Sequence, residues 1–326
     1  MSHWMVINET GGPDALSWEA RELGAPDAGE ALIRHTAVGV NFTDVHRRRG
    51  DHHLPTPVPC SLGLDAAGVV EAVGDGVTEF DVGDRVAYAA MPLEAYSDER
   101  ILTAERLVPL PDSIDDKIAA AAMVKGITVQ FLIRQTFRVE PGQVVVFHAA
   151  AGGVGLIACQ WLKHLGVTTI GTVGSEAKVD IARAHGADHI LVHGRDDIAG
   201  LARELTNGRG VPVVYDSIGK ATFDESMRCL APRGMLVSFG NVSGYIEPVH
   251  LSQVFGAESF FFTWAKMHHY IESREDLLSA TRDLFDVINS GAVKIDVNQT
   301  YPLQEAGRAH ADLEARKTTG SSVLIP

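Results

Sequence analysis

Cysteine is scarce in this chain, and the three present, Cys60, Cys159 and Cys229, are odd in number and widely spaced. That spacing excludes a disulfide framework and a CxxC zinc lobe. It fits a reducing cytoplasm, with the thiols buried as small hydrophobes. Long apolar runs are missing too: none approaches the roughly 18 uninterrupted residues of a membrane helix. Residues Met1 to Thr10 lack the basic start and apolar core of a signal peptide, so the expected location is the cytoplasm. Positive charge is in deficit. With 28 Lys and Arg against 42 Asp and Glu, the net charge of −14 argues against nucleic acid or an anionic membrane as partner. A local basic pocket still suits a phosphate. Metal-ligand patterns are sparse: there is no HExxH, and the pairs His52-His53 and His268-His269 are adjacent, so their side chains diverge on a regular element. No metal is expected. No internal repeat or disordered linker interrupts the chain.

What is present begins with Val144–Gly166, VVVFHAAAGGVGLIACQWLKHLG. The apolar run Val144 to Phe147 has the character of a fully buried parallel strand. It breaks at Ala149-Ala150-Ala151-Gly152-Gly153 and then turns amphipathic through Leu156, Trp161 and Leu165. Strand, small-residue turn and helix make the first unit of a dinucleotide-binding fold, with a helix N-terminus suited to a pyrophosphate. In the frame G-x-G-x-x-G the first position is Ala150, and Gly152 and Gly155 fill the others. Taken alone, this turn leaves open a doubly wound sheet that binds nothing.

The surrounding chain sharpens it. At 326 residues, two domains are expected, and 45% hydrophobic with 21% charged residues describes an ordinary globular protein. Residues 1 to about 120 read as β-rich, with short strands at Ala31–His35, Gly68–Val73 and Arg85–Ala89 between turn clusters, the pattern of a small barrel-like domain. Asp51–Pro59, with three prolines, is a loop. A helix is expected over Asp115–Phe137. Strands then recur at Thr168–Val173, His189–Val192, Val213–Asp216 and Met235–Phe239, with helices such as Ala177–His185 and Ile198–Leu205 between them. That alternation predicts an α/β doubly wound parallel sheet inserted in the β-rich domain. From about Glu258 the rhythm fades into helices over Asp276–Ser290 and Gln304–Ala315 and a last strand at Ser322–Ile325. The chemistry is expected in the cleft between the two domains.

The second strand ends Gly171-Thr172-Val173-Gly174-Ser175, without the acid that holds the ribose 2′-OH of NAD. Gly174 and Ser175 leave room for a 2′-phosphate, and Lys178 at the start of the next helix offers a positive charge. The pattern favours NADPH. The direction of Glu176 in the same loop is left open.

Several runs together resemble a known family: Val40-Asn41-Phe42-Thr43-Asp44, Val82-Gly83-Asp84-Arg85-Val86, Val124-Lys125-Gly126-Ile127-Thr128, His148–Gly155, Val214–Gly219 and Ser238-Phe239-Gly240-Asn241. The chain is similar over its whole length to the zinc-independent NADPH:quinone oxidoreductases, ζ-crystallin-like, of the medium-chain dehydrogenase/reductase superfamily. Ala150 is normal for that branch. The resemblance implies a GroES-like β-rich catalytic domain, residues 1–124 and 263–326, holding an inserted Rossmann domain, residues 125–262. It also implies NADPH as cofactor, a homodimer, and Asn41 where alcohol dehydrogenases place a zinc-binding cysteine. Asn41 and His46 are then the catalytic candidates. Lys125, Thr128, Gly152, Gly153, Val154, Gly174, Ser175, Lys178, His193, Ser217, Phe239, Asn241 and Arg316 join Asn41 as cofactor-binding candidates.

Three positions depart from the family: His46 and His193 replace frequent tyrosines, and Thr263-Trp264-Ala265 stands where a threonine-arginine-proline run is expected. His46 either adds a group titrating near neutrality or fills the space as a neutral ring. The expected reaction is hydride transfer from NADPH to a quinone, with Asn41 donating to the oxygen that gains charge. Reduction of an activated C=C bond is the nearest alternative, and a non-catalytic NADPH-binding protein the other.

Overall fold

The computed structural model describes residues 1–326 except His53, Phe255 and Ala257, and omits the side chain of Gln253. Expectations for the His52-His53 pair therefore fall partly outside the described residues. The chain forms two compact units: Met1–Ile127 with Ile271–Asn289 and Ile295–Pro326, and Thr128–Tyr270 with Ser290–Lys294. The first change of unit falls inside the helix Asp116–Phe131, a few residues after the expected boundary.

The first unit is built on the strand Glu30–Gly39, which buries Ala31, Ile33 and His35 in alternation. It pairs along its length with Asp65–Val73, and at its two ends with Glu99–Thr103 and Ser321–Ile325. The sheet runs Val297–Pro302, Ser321–Ile325, Glu30–Gly39, Asp65–Val73, Arg85–Ala89, Val108–Pro109. A proline ends its short last strand, where a missing N–H costs no ladder bond. Ile33, Val70, Tyr88, Tyr96 and Leu102 meet in its core. One helix here lies in what reads as β-rich sequence, Phe42–Arg49. Its apolar content is too low to show a stripe. It is fixed instead at its ends, by Asn41 and Asp44 in a capping box and by Gly50 in left-handed conformation.

The second unit is a six-stranded parallel sheet in the order His189–Val192, Thr168–Val173, Val144–Phe147, Val211–Asp216, Leu230–Ser238, Phe261–Trp264. The order reverses between Val144–Phe147 and Val211–Asp216, and beyond the carboxyl ends of such a pair lies the usual ligand crevice of an open α/β sheet. Val145, Val146, Val213 and Val214 are wholly buried, as strands covered on both faces require. The helix Asp116–Phe131 widens into a π turn at Leu132–Thr136 instead of continuing as α to Phe137. The sheet also gains a sixth strand where the rhythm was expected to fade. Phe261–Trp264 reads FFTW, with no alternation to mark it, and Phe261 and Phe262 are 52% and 42% exposed on that edge. Among the described residues no helix is long and apolar enough to cross a membrane.

Candidate functional site

In the second unit, Ala149 takes a left-handed backbone, φ 56°, and the chain turns so tightly that the Gly152 N–H donates to Ala149 O at 2.8 Å. The Gly152 N–H is thus used inside the turn. Gly152 caps the helix Gly153–His164, and the N–H groups of Gly153, Val154 and Gly155 have no acceptor within the helix. A Cβ at Gly155 would stand 2.3 Å from Ala149 O, so the helix rests directly on the loop backbone. The irregular first position also has a cause. A Cβ on Gly171 would lie 2.7 Å from the Ala150 methyl, so the neighbouring strand leaves bare backbone where Ala150 packs.

Gly174, Ser175, Lys178 and His193 gather at the ends of two adjacent strands, where the His193 N–H donates to Val173 O at 2.9 Å. Space around Gly174 is open, with no atom within 4 Å of the point a Cβ would occupy. Glu176 turns to Arg195, 2.5 Å away, so its charge is paired. Arg195 in turn helps hold the Asp196 carboxyl down at about 2. His193 Nδ1 is buried without a hydrogen-bond partner among the described residues. At the next strand ends, Phe239 N donates to Asp216 O at 2.9 Å and Val242 N to Ser217 O at 3.2 Å, bringing Ser217, Phe239 and Asn241 together. Phe239 also packs on Phe147, with ring centroids 5.7 Å apart. Trp264 lies 6.2 Å from Tyr245, ring to ring, and lines an open apolar pocket of about 310 Å³ with Phe223, Ile246, Val249 and Phe262.

Sequence reasoning missed the polar chain beneath the loop. Ser226 Oγ–H donates to Asp216 Oδ2 at 2.8 Å, so Ser226 Oγ accepts from His148 Nε2, 3.0 Å away. His148 Nδ1 is then left to accept from Thr172 Oγ1 at 2.8 Å. Burial lowers the pKa of His148, consistent with this neutral tautomer. Asp216 Oδ1 takes the N–H groups of Ile218 and Gly219 at 2.7 and 3.0 Å, and Thr222 Oγ1 reaches the carboxylate as well. The only signal in the sequence was a polar residue, His148, closing an apolar strand.

In the first unit, Asn41 is 6% exposed and gives its Nδ2 to Asp65 Oδ1 at 2.7 Å, while its backbone N–H donates to Asp44 Oδ2 at 2.9 Å. Tyr96 donates to the same Asp44 oxygen at 3.3 Å and meets His310 Nε2 at 2.9 Å. Burial pushes the Asp44 carboxyl up to about 7, against the pull of the Asn41 N–H, and pushes His310 down to about 3. Lys125 is buried close by, its Nζ donating to Val40 O at 3.1 Å. His46 turns to Asp51, 2.7 Å away, and packs edge-on against Phe42. Arg316 is exposed, in left-handed conformation just past the helix Ala306–Glu314. Thr128 shares the helix Asp116–Phe131 with Lys125 but belongs to the second unit.

Among the described residues no three His, Cys, Asp or Glu side chains are grouped to hold an ion. His185, His189 and His193 recur every four residues, but they sit on a helix end, in a strand and past its end, so they share no face.

Residues 27–112 match the alcohol dehydrogenase GroES-like domain, and residues 153–286 the domain described as zinc-binding dehydrogenase. The chain is 48% identical to the quinone oxidoreductase of Pseudomonas aeruginosa over 97% of both proteins. It belongs to the quinone oxidoreductase branch of the medium-chain dehydrogenase/reductase superfamily. Within that branch it is also 44% identical to the 2-haloacrylate reductase of a Burkholderia species, over 98% of each chain. The Escherichia coli quinone oxidoreductase crystallised with NADPH superposes with a TM-score of 0.95 at 42% identity, covering 99% of this chain and all of that one. The GroES-like and Rossmann folds of the branch are thus the two units described above.

Proposed function

We propose that the chain is an NADPH:quinone oxidoreductase that works without a metal. The carrying observation is the pocket at the ends of the strands Thr168–Val173 and His189–Val192. It has room at Gly174, Ser175 and Lys178 as donors, an unpartnered His193 nitrogen, and two acids, Glu176 and Asp196, both paired with Arg195. That donor set fits a dinucleotide carrying a 2′-phosphate and disfavours a bare ribose. Bound NADPH supplies the hydride. Gly153 and Val154 direct N–H groups to the pyrophosphate, with Gly152 shaping their turn. Ser175, Lys178, His193 and Arg316 hold the 2′-phosphate. Thr128, Ser217, Phe239 and Asn241 orient the nicotinamide half, with Lys125. Asn41 retains one Nδ2–H beyond the one given to Asp65, and that hydrogen is available to a quinone oxygen as it gains charge. His46, paired with Asp51, borders the acceptor. In this reading the first unit is the catalytic domain and the second the nucleotide domain.

Replacing both Lys178 and Arg316 by alanine should lower kcat/KM for NADPH by about 100-fold or more, since charge-assisted bonds contribute roughly 1.5–3 kcal/mol each. NADH turnover should change by less than about 3-fold on the same scale. Steady-state assays with both cofactors and a panel of ortho- and para-quinones test the reading, and equal losses with both cofactors would overturn it.

Reduction of an activated C=C bond is the second reading, favoured by the likeness to a 2-haloacrylate reductase. It uses the same hydride, and paired assays with a quinone and a 2-haloacrylate separate the two.

A homodimer is supported by the edge strand Phe261–Trp264, which carries two exposed phenylalanines. Phe262→Lys should convert a dimer to a monomer in sedimentation velocity; an unchanged dimer would place the interface elsewhere. A cytoplasmic location is supported by three free thiols, Cys60, Cys159 and Cys229.

A further inference from the structure

Asp65 has two oxygens and spends both on the candidate site. Oδ1 accepts from Asn41 Nδ2 at 2.7 Å, and Oδ2 accepts from the Val124 backbone N–H at 3.0 Å. Both partners offer only hydrogens, so both oxygens act as acceptors, the arrangement that suits an ionised carboxyl. Such a charge, on a side chain with no exposure, needs a counter-charge. Lys125 supplies it. Burial lowers the Lys125 pKa, but Asp65 and then Asp44 hold it up, and the pull of Lys125 is the first influence opposing the rise that burial gives Asp65.

The carboxylate is also closely packed. A Cβ on Gly39 would fall 2.4 Å from Asp65 Oδ1 and equally close to Ala120 O, so the carboxylate lies against bare backbone that only glycine leaves open.

An asparagine amide exposes nitrogen on one side and oxygen on the other, and turning it over exchanges donor for acceptor. Beside an ionised carboxylate only one orientation is bound, because the other sets two oxygens face to face. We propose that Asp65 is a positioning residue for the reduction: it fixes the Asn41 amide with its remaining Nδ2–H toward the acceptor oxygen, and through Val124 it anchors the helical turn that carries Lys125. A donor held this way needs no reorganisation when charge arrives, which is where preorganised hydrogen bonds contribute most. The inference rests on the proposed role of Asn41, so the test must separate the two.

Four variants do so: Asn41→Ala, Asp65→Asn, the two combined, and the exchange Asn41→Asp with Asp65→Asn. Asp65→Asn should lower kcat for quinone reduction by about 10–100-fold, as loss of an outer-shell partner commonly does. It should add little to the loss from Asn41→Ala, because it acts through the same amide. The exchange variant rebuilds the hydrogen bond with donor and acceptor reversed. It should recover the melting temperature lost in Asp65→Asn but not the turnover, since a carboxylate at position 41 cannot donate. Recovery of both melting temperature and turnover would reduce Asp65 to a structural role and overturn the proposal. So would additive losses, or normal turnover in Asp65→Asn alone. Normal turnover in Asn41→Ala would instead remove the role of Asn41 itself, and with it the reading on which this inference stands. Should Asp65→Asn fold too poorly to assay, the exchange variant carries the decision.

Discussion

Gly155→Ala should abolish useful NADPH binding, raising Kd by about 100-fold or more, a loss of at least roughly 2.7 kcal/mol. The reason is geometric. The added methyl would stand 2.3 Å from Ala149 O, 2.7 Å from Ala150 Cα and 2.8 Å from Ala150 C, all backbone atoms. No side-chain rotation relieves those contacts. Either the first turn of the helix Gly153–His164 retreats from the loop or the loop is pushed toward the ligand, and both misplace the N–H groups of Gly153 and Val154. Overpacking should also cost about 1–3 kcal/mol of stability. Gly152→Ala is the comparison and should lose less, because its methyl would approach nothing nearer than Ala149 O, at 3.2 Å. Fluorescence titration with NADPH, alongside thermal melting of both variants, checks the prediction. A wild-type Kd for Gly155→Ala would mean that the loop does not seat the pyrophosphate.

The second large effect is expected at Asp216. Asp216→Ala should destabilise the protein by about 3–5 kcal/mol, the usual range for breaking a buried charged network. That is a large part of a typical total of about 5–15 kcal/mol. The side chain is 2% exposed and receives Ile218 N, Gly219 N, Thr222 Oγ1 and Ser226 Oγ. Removing it takes the acceptor from four donors, most of them buried and costly to leave unpaired. The damage should spread along the chain, because Ser226 no longer orients as an acceptor for His148, and His148 holds the strand end that leads into the dinucleotide loop. Asp216→Asn should be milder yet still measurable, since an amide has one accepting oxygen where the carboxylate has two. Urea unfolding gives the readout. A midpoint within error of wild type for Asp216→Ala would show that water replaces the lost acceptor.

Much of the second unit was legible because parallel strands buried on both faces are written as bare apolar runs. Thr168–Val173, His189–Val192 and the helix Ile198–Leu205 fall where periodicity places them. Phe261–Trp264 was not legible, since four consecutive bulky residues on a half-exposed edge show neither alternation nor a turn signal. The helix Phe42–Arg49 escaped for the opposite reason, being polar along most of its length and held by its caps. At the site, the resemblance drew attention to Asn41 and Lys125, whereas Asp65 carried no motif of its own. Its importance comes from pairings with Asn41 and Val124, far away in the chain, and no local pattern records them. Glu176 illustrates the same limit: its charge is settled by Arg195, a partner on the following strand–helix connection.

The strand Glu30–Gly39 carries a consequence for how the protein is made. Its Val38 and Gly39 pair with Leu324 and Val323, about 280 residues downstream. At roughly 5–20 residues per second, the ribosome needs about a quarter of a minute to a minute to produce that partner. The unit whose synthesis starts first is therefore finished last. The nested parallel sheet has all its strands once Trp264 has emerged. It is positioned to fold while the strand begun at Glu30 still waits, with the Val38 end of one edge open, for the last strand of the chain.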